Sequence, residues 1–220
     1  MYYRVMSVDA GSQNITTVPF LVGLSKADRK KLSTKGYCIS SNRMSDVAID
    51  SALDSEQAQN APADFYRVFN GIDADGLITC NDDSKRLQAP LKSRGLVRQE
   101  AISVARTDFA MHRPKELRMM VSLEGCELQP MHTDFNPNDR VVGATPSFVM
   151  VIALQCTTIV IHEYSHLIYD NPRQRAPVLT LTLQRGDVLY MNELLAHGGG
   201  ASGIKNVRLH QYLVGCSSQS

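Results

Sequence analysis

The sequence predicts a mostly β fold, a barrel or a sandwich, with helices packed in front of it. Beyond Pro114 the chain consists of short β-branched runs separated by turn residues, which is typical of closely spaced strands. Ahead of Pro114 the apolar residues recur at helical spacing instead. The six predicted strands are LRMMVSL (117–123), SFVMVIAL (147–154), TTIVIHEY (157–164), VLTLTL (178–183), DVLYMN (187–192) and VRLHQYLV (207–214).

Two segments of the first half predict helices. Ser25 is a typical N-cap, helix formers follow it, and Gly36 ends the helix before the β-prone Tyr37-Cys38-Ile39. The second helix begins at Leu96 and follows LVRQEAISVARTDFAM. One face of it contains Val97, Ala101, Val104, Ala105 and Asp108, and Leu96, Ile102 and Phe109 widen its apolar side.

Length and composition indicate one ordinary globular domain. The chain has 220 residues, 43% hydrophobic and 20% charged, which excludes disorder, collagen and coiled coil. We expect a single domain over 1–220, with a helical and lid region in 1–116 and a β core in 117–214.

Because no apolar run approaches the length of a membrane span and no basic start precedes one, we expect no membrane association. Five scattered cysteines without a CxxC pair fit a reducing compartment, cytoplasmic or nuclear.

Charge is distributed unevenly although the net charge is only +1. Residues 44–83 hold nine acidic residues and one basic residue. We interpret this stretch as an insertion or lid rather than as part of the core. Residues 85–118 hold nine basic and three acidic residues. The simplest interpretation is two solvated surfaces that partly neutralise each other. If the basic block faces a site, an anionic substrate is favoured, whether a small molecule or a macromolecule.

Two histidines and one aspartate form the strongest candidate site. His132 and Asp134 are two residues apart in an extended segment, so their side chains point to the same side. His197 follows another strand-like run and can join them from a neighbouring strand. Two histidines and one carboxylate bind Fe(II) and leave coordination positions open. Eleven residues after His197, Arg208 lies in a strand and can pair with a dicarboxylate.

Four segments resemble the double-stranded β-helix, a jelly-roll and cupin-like fold, of the Fe(II)- and 2-oxoglutarate-dependent dioxygenases. They are LRMMVSLEGCELQPMHTDF, TTIVIHEYSH, LQRGDVLYMNELLAHGGGAS and VRLHQYL, within residues 117–214. The interval from His197 to Arg208 is similar to that of the phytanoyl-CoA dioxygenase and prolyl hydroxylase branches. The resemblance implies an enzyme that hydroxylates or demethylates its substrate.

The resemblance also implies roles for individual residues. His132, Asp134 and His197 would hold Fe(II), Arg208 would bind the far carboxylate of 2-oxoglutarate, and Ser202 is a weaker candidate for that carboxylate. Ascorbate is a candidate reductant. The chain departs from the family at two places: Glu163-Tyr164 stands where Pro-Gly is often found, and His210 stands where Ser or Thr often follows the arginine.

The rival catalytic motif is His162-Glu163-Tyr164-Ser165-His166, the HExxH pattern of zinc metalloproteases. That pattern binds zinc on a helix, whereas the β-branched run 157–161 before it favours a strand. In an extended segment the two histidines would be about 13 Å apart, too far to share one ion. We therefore expect His166 to line the barrel mouth or to pack there. A cupin-like binding protein without catalysis is the other alternative.

Two further patterns in the sequence indicate turns rather than binding sites. Asp73-Ala74-Asp75-Gly76 is a fragment of a calcium loop without its closing ligands, so we interpret it as a turn. The glycines 198–200 are not followed by a P-loop lysine, so we expect a flexible turn beside the metal rather than a phosphate cradle.

Overall fold

The computed structural model describes residues 23–60, 65–68, 71–72, 78–79, 85–92, 94–135, 145–167 and 177–215. The helices are α1 (Lys26–Lys35), α2 (Asp46–Leu53), α3 (Glu56–Asn60) and α4 (Leu96–Asp108). The strands are β1 (Tyr37–Ser40), β2 (Tyr66–Arg67), β3 (Gly71–Ile72), β4 (Ile78–Thr79), β5 (Arg86–Pro90), β6 (His112–Pro114), β7 (Arg118–Ser122), β8 (Phe148–Ala153), β9 (Thr157–His162), β10 (Val178–Leu183), β11 (Val188–Asn192), β12 (His197–Gly199) and β13 (Asn206–Gly215).

Two antiparallel sheets form the body of the protein. Eight of the described strands make the large sheet, in the order β1-β11-β8-β13-β7-β5-β2, with β6 paired to β13. The small sheet has the order β10-β9-β12. This arrangement confirms the mostly β, double-stranded β-helix fold that the sequence predicts.

The central strand β8 explains how the layers are held together. Its side chains are all buried, as expected of a strand covered on both faces. Phe148, Met150 and Ile152 point into an apolar core that the large sheet shares with the helices. Val149, Val151 and Ala153 point into a second core, which the large sheet shares with β9 and β10. The large sheet is therefore the middle layer between the helices and the small sheet.

The six predicted strands are confirmed as β7, β8, β9, β10, β11 and β13. The predicted helix, glycine stop and strand are confirmed as well: the Ser25 hydroxyl caps α1 by accepting from the Asp28 N–H, and Gly36 has a left-handed φ of 87° before β1. The predicted buried face of α4 is confirmed, but Leu96 is exposed because it occupies the first helical position.

The first 116 residues contribute more than helices and a lid. The interpretation of 44–83 as lid rather than core is wrong for α2, because Ala48, Ile49 and Ala52 lie one helical turn apart and pack in the core. Strands β1, β2, β5 and β6 from this region pair into the large sheet. The calcium-loop fragment 73–76 lies outside the described residues.

A buried carboxylate joins α4 to the large sheet. Asp108 is fully buried at the end of α4. The Arg43 guanidinium lies 2.8 Å from its Oδ1, and the Tyr190 hydroxyl of β11 donates to its Oδ2. Because these contacts compensate the buried charge, they fix the helical layer on the face opposite the small sheet. Within the described residues, no helix is long and apolar enough to cross a membrane.

Candidate active site

His132 and His197 meet across a backbone bridge between the end of one extended segment and β12. The N–H of each residue donates to the carbonyl oxygen of the other, at 2.9 and 2.8 Å. Asp134 lies beside both rings: its Oδ1 is 3.8 Å from His132 Nε2, and its Oδ2 is 3.3 Å from His197 Nε2. The ligand atoms of the three residues all lie within 4.8 Å of one another. The predicted group is thus brought together with a spacing that one metal ion can bridge.

Backbone carbonyls orient both imidazole rings. Nδ1 of His132 lies 2.9 Å from the Pro130 oxygen, and Nδ1 of His197 lies 2.9 Å from the Leu195 oxygen. A carbonyl only accepts, so each Nδ1 carries a proton, and Nε2 is the ring nitrogen that faces Asp134. Histidine ligands of metals are oriented in this way by an outer hydrogen bond.

The electrostatics also suit metal ligands. Burial and the neighbouring His197 lower the pKa of His132 to about 4, so this ring is neutral at neutral pH. Burial alone would raise the pKa of Asp134, but His197 and His210 outweigh it and hold this pKa well below its ordinary value. Burial likewise opposes protonation of His197, and the Asp134 charge outweighs it and raises the pKa of that ring. A cation would replace the proton as the partner of the carboxylate.

Strand β13 supplies a row of polar side chains to the same site. Arg208, His210 and Tyr212 alternate along the strand and therefore share its face toward the small sheet. His210 Nε2 lies 3.7 Å from Asp134 Oδ2, and the Tyr212 hydroxyl donates to Asp134 Oδ1 at 3.3 Å. Sequence reasoning did not assign these two residues to the carboxylate, although their spacing from Arg208 was a usable signal.

Arg208 is a buried cation, 3% exposed. Its Nη1 donates to the Ser122 hydroxyl of β7 at 3.1 Å. In the part of the chain that the structure describes, no carboxylate pairs with it. Burial and the charge of Arg86 lower its pKa to about 9. Because a buried charge without a counterion is costly, this arrangement is suited to an anion from outside the protein.

A second buried arginine, Arg86 of β5, was missed by the sequence analysis. It is 2% exposed, and its Nη2 donates to the carbonyl oxygens of Glu127, Gly199 and Gly200 at 3.1 to 3.2 Å. It belongs to the basic block 85–118, which we interpreted as surface. The alternation in Arg86-Leu87-Gln88-Ala89 indicates a strand but places Arg86 on its polar side, so no local pattern indicated that this arginine is buried.

The expected flexible turn at 198–200 is wrong. Gly198 and Gly199 belong to strand β12, and all three glycines are buried. A Cβ on Gly198 would lie 2.5 Å from the Gln129 oxygen, one on Gly199 would overlap Arg86 Nη1, and one on Gly200 would overlap Thr158 Oγ1. The glycines are therefore required by close packing between neighbouring groups.

We expect Gly199→Ala to lower the free energy of unfolding by about 1–3 kcal/mol, because the new methyl group must displace a buried guanidinium. Gly203→Ala is the matched control, since a Cβ at Gly203 meets no atom within 4 Å. Urea unfolding of both variants measures the difference. Equal stabilities of the two variants would contradict the close contact.

Ser202 lies in an isolated β-bridge with Cys126, outside this group. Its N–H donates to the Cys126 oxygen at 2.8 Å, and its hydroxyl donates to the Ile204 oxygen at 2.6 Å. The hydroxyl that contacts Arg208 is that of Ser122.

The HExxH segment does not form a helical zinc motif. His162 ends β9, and His166 lies in a 3-10 turn over Ser165–Leu167, so the extended segment is shorter than predicted. Glu163 is paired with Lys35 Nζ at 2.9 Å, and His166 Nε2 lies 3.2 Å from the Ser33 oxygen. His166 thus packs against α1. Across the described ranges, His132, Asp134 and His197 are the one group of three or more ligating residues close enough for a single ion.

Comparison with known proteins finds similarity in structure alone. No family model and no curated protein sequence matches the chain. The carbocyclase SnoK from nogalamycin biosynthesis, described as non-heme and alpha-ketoglutarate dependent, aligns with a TM-score of 0.64 and 15% identity over 90% of this chain and 86% of SnoK. HygX from Streptomyces hygroscopicus, with nickel and 2-oxoglutarate bound, aligns with a TM-score of 0.60 and 12% identity over 87% of each chain. A Pseudomonas putida prolyl-4-hydroxylase aligns with a TM-score of 0.58 and 10% identity over 87% of this chain and 98% of its own. At these identities the likeness shows the fold.

Proposed function

We propose that this protein is an Fe(II)- and 2-oxoglutarate-dependent oxygenase that hydroxylates or demethylates its substrate. One observation carries the proposal: the His132, Asp134 and His197 group lies on the same inner face as Arg208, a buried cation without a carboxylate partner among the described residues. The first group fits a divalent metal and the second fits an anion. HygX, with the same fold, holds nickel and 2-oxoglutarate in its structure.

The residues present fit both proposed groups. Two neutral imidazole nitrogens and one ionised carboxylate would hold Fe(II) and leave positions for other ligands. Arg208 would pair with the far carboxylate of 2-oxoglutarate. When bound, iron and the keto acid supply the oxidation, in which substrate R–H, O₂ and 2-oxoglutarate become R–OH, succinate and CO₂.

The protein's own side chains have three tasks in this proposal. His210 and Tyr212 orient the Asp134 carboxylate, whose two oxygens lie beside different histidines. Ser122 accepts from Arg208 and thereby fixes the direction of its guanidinium. The apolar core between the sheets, which includes Val151 and Ile161, keeps water from the inner side of the site.

Hydroxylation is the reaction we favour over halogenation. Asp134 supplies a carboxylate at the ligand position that a halide would need. The fold leaves the reaction open, because SnoK is described as a carbocyclase and the Pseudomonas putida protein as a prolyl-4-hydroxylase. A chlorinated product formed by the unaltered protein would contradict the assignment.

The decisive experiment measures metal and succinate together. Protein isolated without oxygen is analysed for metal and then supplied with Fe(II), 2-oxoglutarate, ascorbate and O₂. We expect one bound iron and succinate release, increased by a true substrate found in a mass-spectrometric screen for added oxygen or lost methyl. Bound zinc with peptide cleavage would favour the metalloprotease, and bound metal without succinate would favour a non-catalytic binding protein.

We further propose that the substrate is anionic. Of the basic block 85–118, Arg118 of β7 lies opposite His210 of β13 and therefore shares the face of the site. Arg118→Glu should raise KM for the true substrate and leave substrate-free 2-oxoglutarate turnover unchanged. Added salt should raise KM of the unaltered protein, since screening acts over about 8 Å at physiological ionic strength. Arg94→Glu with Arg98→Glu, at α4 in the helical layer on the opposite face of the large sheet, is the matched control; a KM that responds equally to both changes, or to neither, argues for a neutral substrate.

A further inference from the structure

Two buried guanidinium groups meet beside Gly199. Arg86 of β5 and Arg208 of β13 lie on either side of β7 and point to the face toward the small sheet. A Cβ on Gly199 would overlap Nη1 of Arg86 and would lie 3.0 Å from Nη2 of Arg208. Both nitrogens therefore lie against Gly199, at the place where any other residue would carry its Cβ.

Two guanidinium groups this close repel each other. Both residues are almost fully buried, at 2% and 3% exposure, so water screens their repulsion poorly. The Ser122 hydroxyl and three carbonyl oxygens hold the guanidinium groups in place. Burial lowers the pKa of both arginines, and the Arg86 charge lowers that of Arg208 further. A carboxylate has two oxygens and a full negative charge, which matches two adjacent donors of this kind.

We propose that Arg86 is a second anchor for the far carboxylate of the keto acid, so that the pair Arg86 and Arg208 selects a dicarboxylic keto acid over one with an uncharged end. This inference rests on the proposed function. It assigns a specificity-determining role to a residue from the N-terminal part of the chain. The three carbonyl contacts of Arg86 aim its Nη1 toward Arg208, and they also tie β5 to β12.

The test compares two ligands that differ only at the far end. Calorimetry on the Ni(II)-loaded protein, which does not turn over, measures binding of 2-oxoglutarate and of 2-oxopentanoate, the same carbon chain without the second carboxylate. The unaltered protein should prefer 2-oxoglutarate. Arg86→Met should lower the affinity for 2-oxoglutarate by about 10- to 100-fold and change that for 2-oxopentanoate by less than about twofold. Arg86→Lys keeps the charge but loses the two-pronged guanidinium. Its affinity for 2-oxoglutarate should lie between that of the unaltered protein and that of Arg86→Met.

A matched control separates ligand binding from stability. Arg43→Met also removes a guanidinium from a largely buried pair, but on the opposite face of the large sheet. It should lower the melting temperature and leave the preference for 2-oxoglutarate unchanged. If Arg86→Met does not fold, the Lys variant decides by the same comparison.

The outcomes distinguish a failure of the proposed role of Arg86 from a failure of the proposed function. Equal losses for both ligands in the Arg86 variants, or no loss for either, overturn the role of Arg86 and leave the oxygenase proposal standing. If the unaltered protein binds neither keto acid, the proposed function fails, and this inference fails with it. A loss confined to 2-oxoglutarate supports both.

Discussion

His197→Ala and His132→Ala should each abolish Fe(II) binding and activity. Each change removes one of the two imidazole ligands, and no other described histidine or cysteine completes a group of three around Asp134. Loss of a hydrogen-bond partner outside the ligand set already costs about 10- to 100-fold in metal affinity, so loss of a ligand should cost more. Metal content after anaerobic isolation and calorimetric titration with Fe(II) measure the effect.

His162→Ala is the control for this prediction. His162 is a buried histidine at the end of β9 in the small sheet, and it belongs to the rival HExxH pattern. Its replacement should leave the metal content nearly unchanged. If His162→Ala removes the metal while His197→Ala retains it, the oxygenase assignment is wrong and the protease motif must be reconsidered.

Arg208→Leu should raise the 2-oxoglutarate concentration needed for half-maximal turnover by about 30-fold to several thousand-fold. Truncating one partner of a buried charge pair costs about 2–5 kcal/mol, and each 1.4 kcal/mol is a factor of about ten. Succinate release as a function of 2-oxoglutarate measures the shift. An unchanged curve would move the keto acid elsewhere in the protein.

Stability and metal content distinguish this effect from misfolding. Without ligand, Arg208 is a buried cation that no described carboxylate neutralises, so its replacement by leucine should not lower the melting temperature. Metal content should also stay at the level of the unaltered protein, because Arg208 lies outside the ligand group. A variant that loses metal or unfolds would indicate a structural role instead.

The sequence predicted the parts of this fold that local chemistry determines. Runs such as Thr157–Ile161 are costly in a helix and favourable in a strand, so β9 was predicted correctly. The i, i+2 spacing of His132 and Asp134 placed both side chains on one side before any partner was known. Gly36 ends α1 with a positive φ, which other residues adopt only at an energetic cost. A glycine at this position therefore indicates the end of the helix.

The errors concern features that depend on tertiary contacts. Charge counts cannot tell a buried arginine from a solvated one, so Arg86 was averaged into a surface block. Strand β12 contains two glycines, which have a low β propensity, and the close approach of Gln129 and Arg86 that requires them depends on the folded structure. In the acidic stretch, the charges of α2 concealed the small residues Ala48 and Ala52, which are buried without forming a conspicuous apolar run.

The position of β13 has a consequence for how the protein is made. This strand lies between β7 and β8 in the large sheet, yet it is the last of the described strands in the chain. During synthesis, the edges of β7 and β8 that β13 will occupy are translated first and stay unpaired until residues 206–215 leave the ribosome. The nascent chain therefore presents two open β edges, which promote aggregation. Arg208, His210 and Tyr212 lie on this last strand, so the site is complete only after the sheet is.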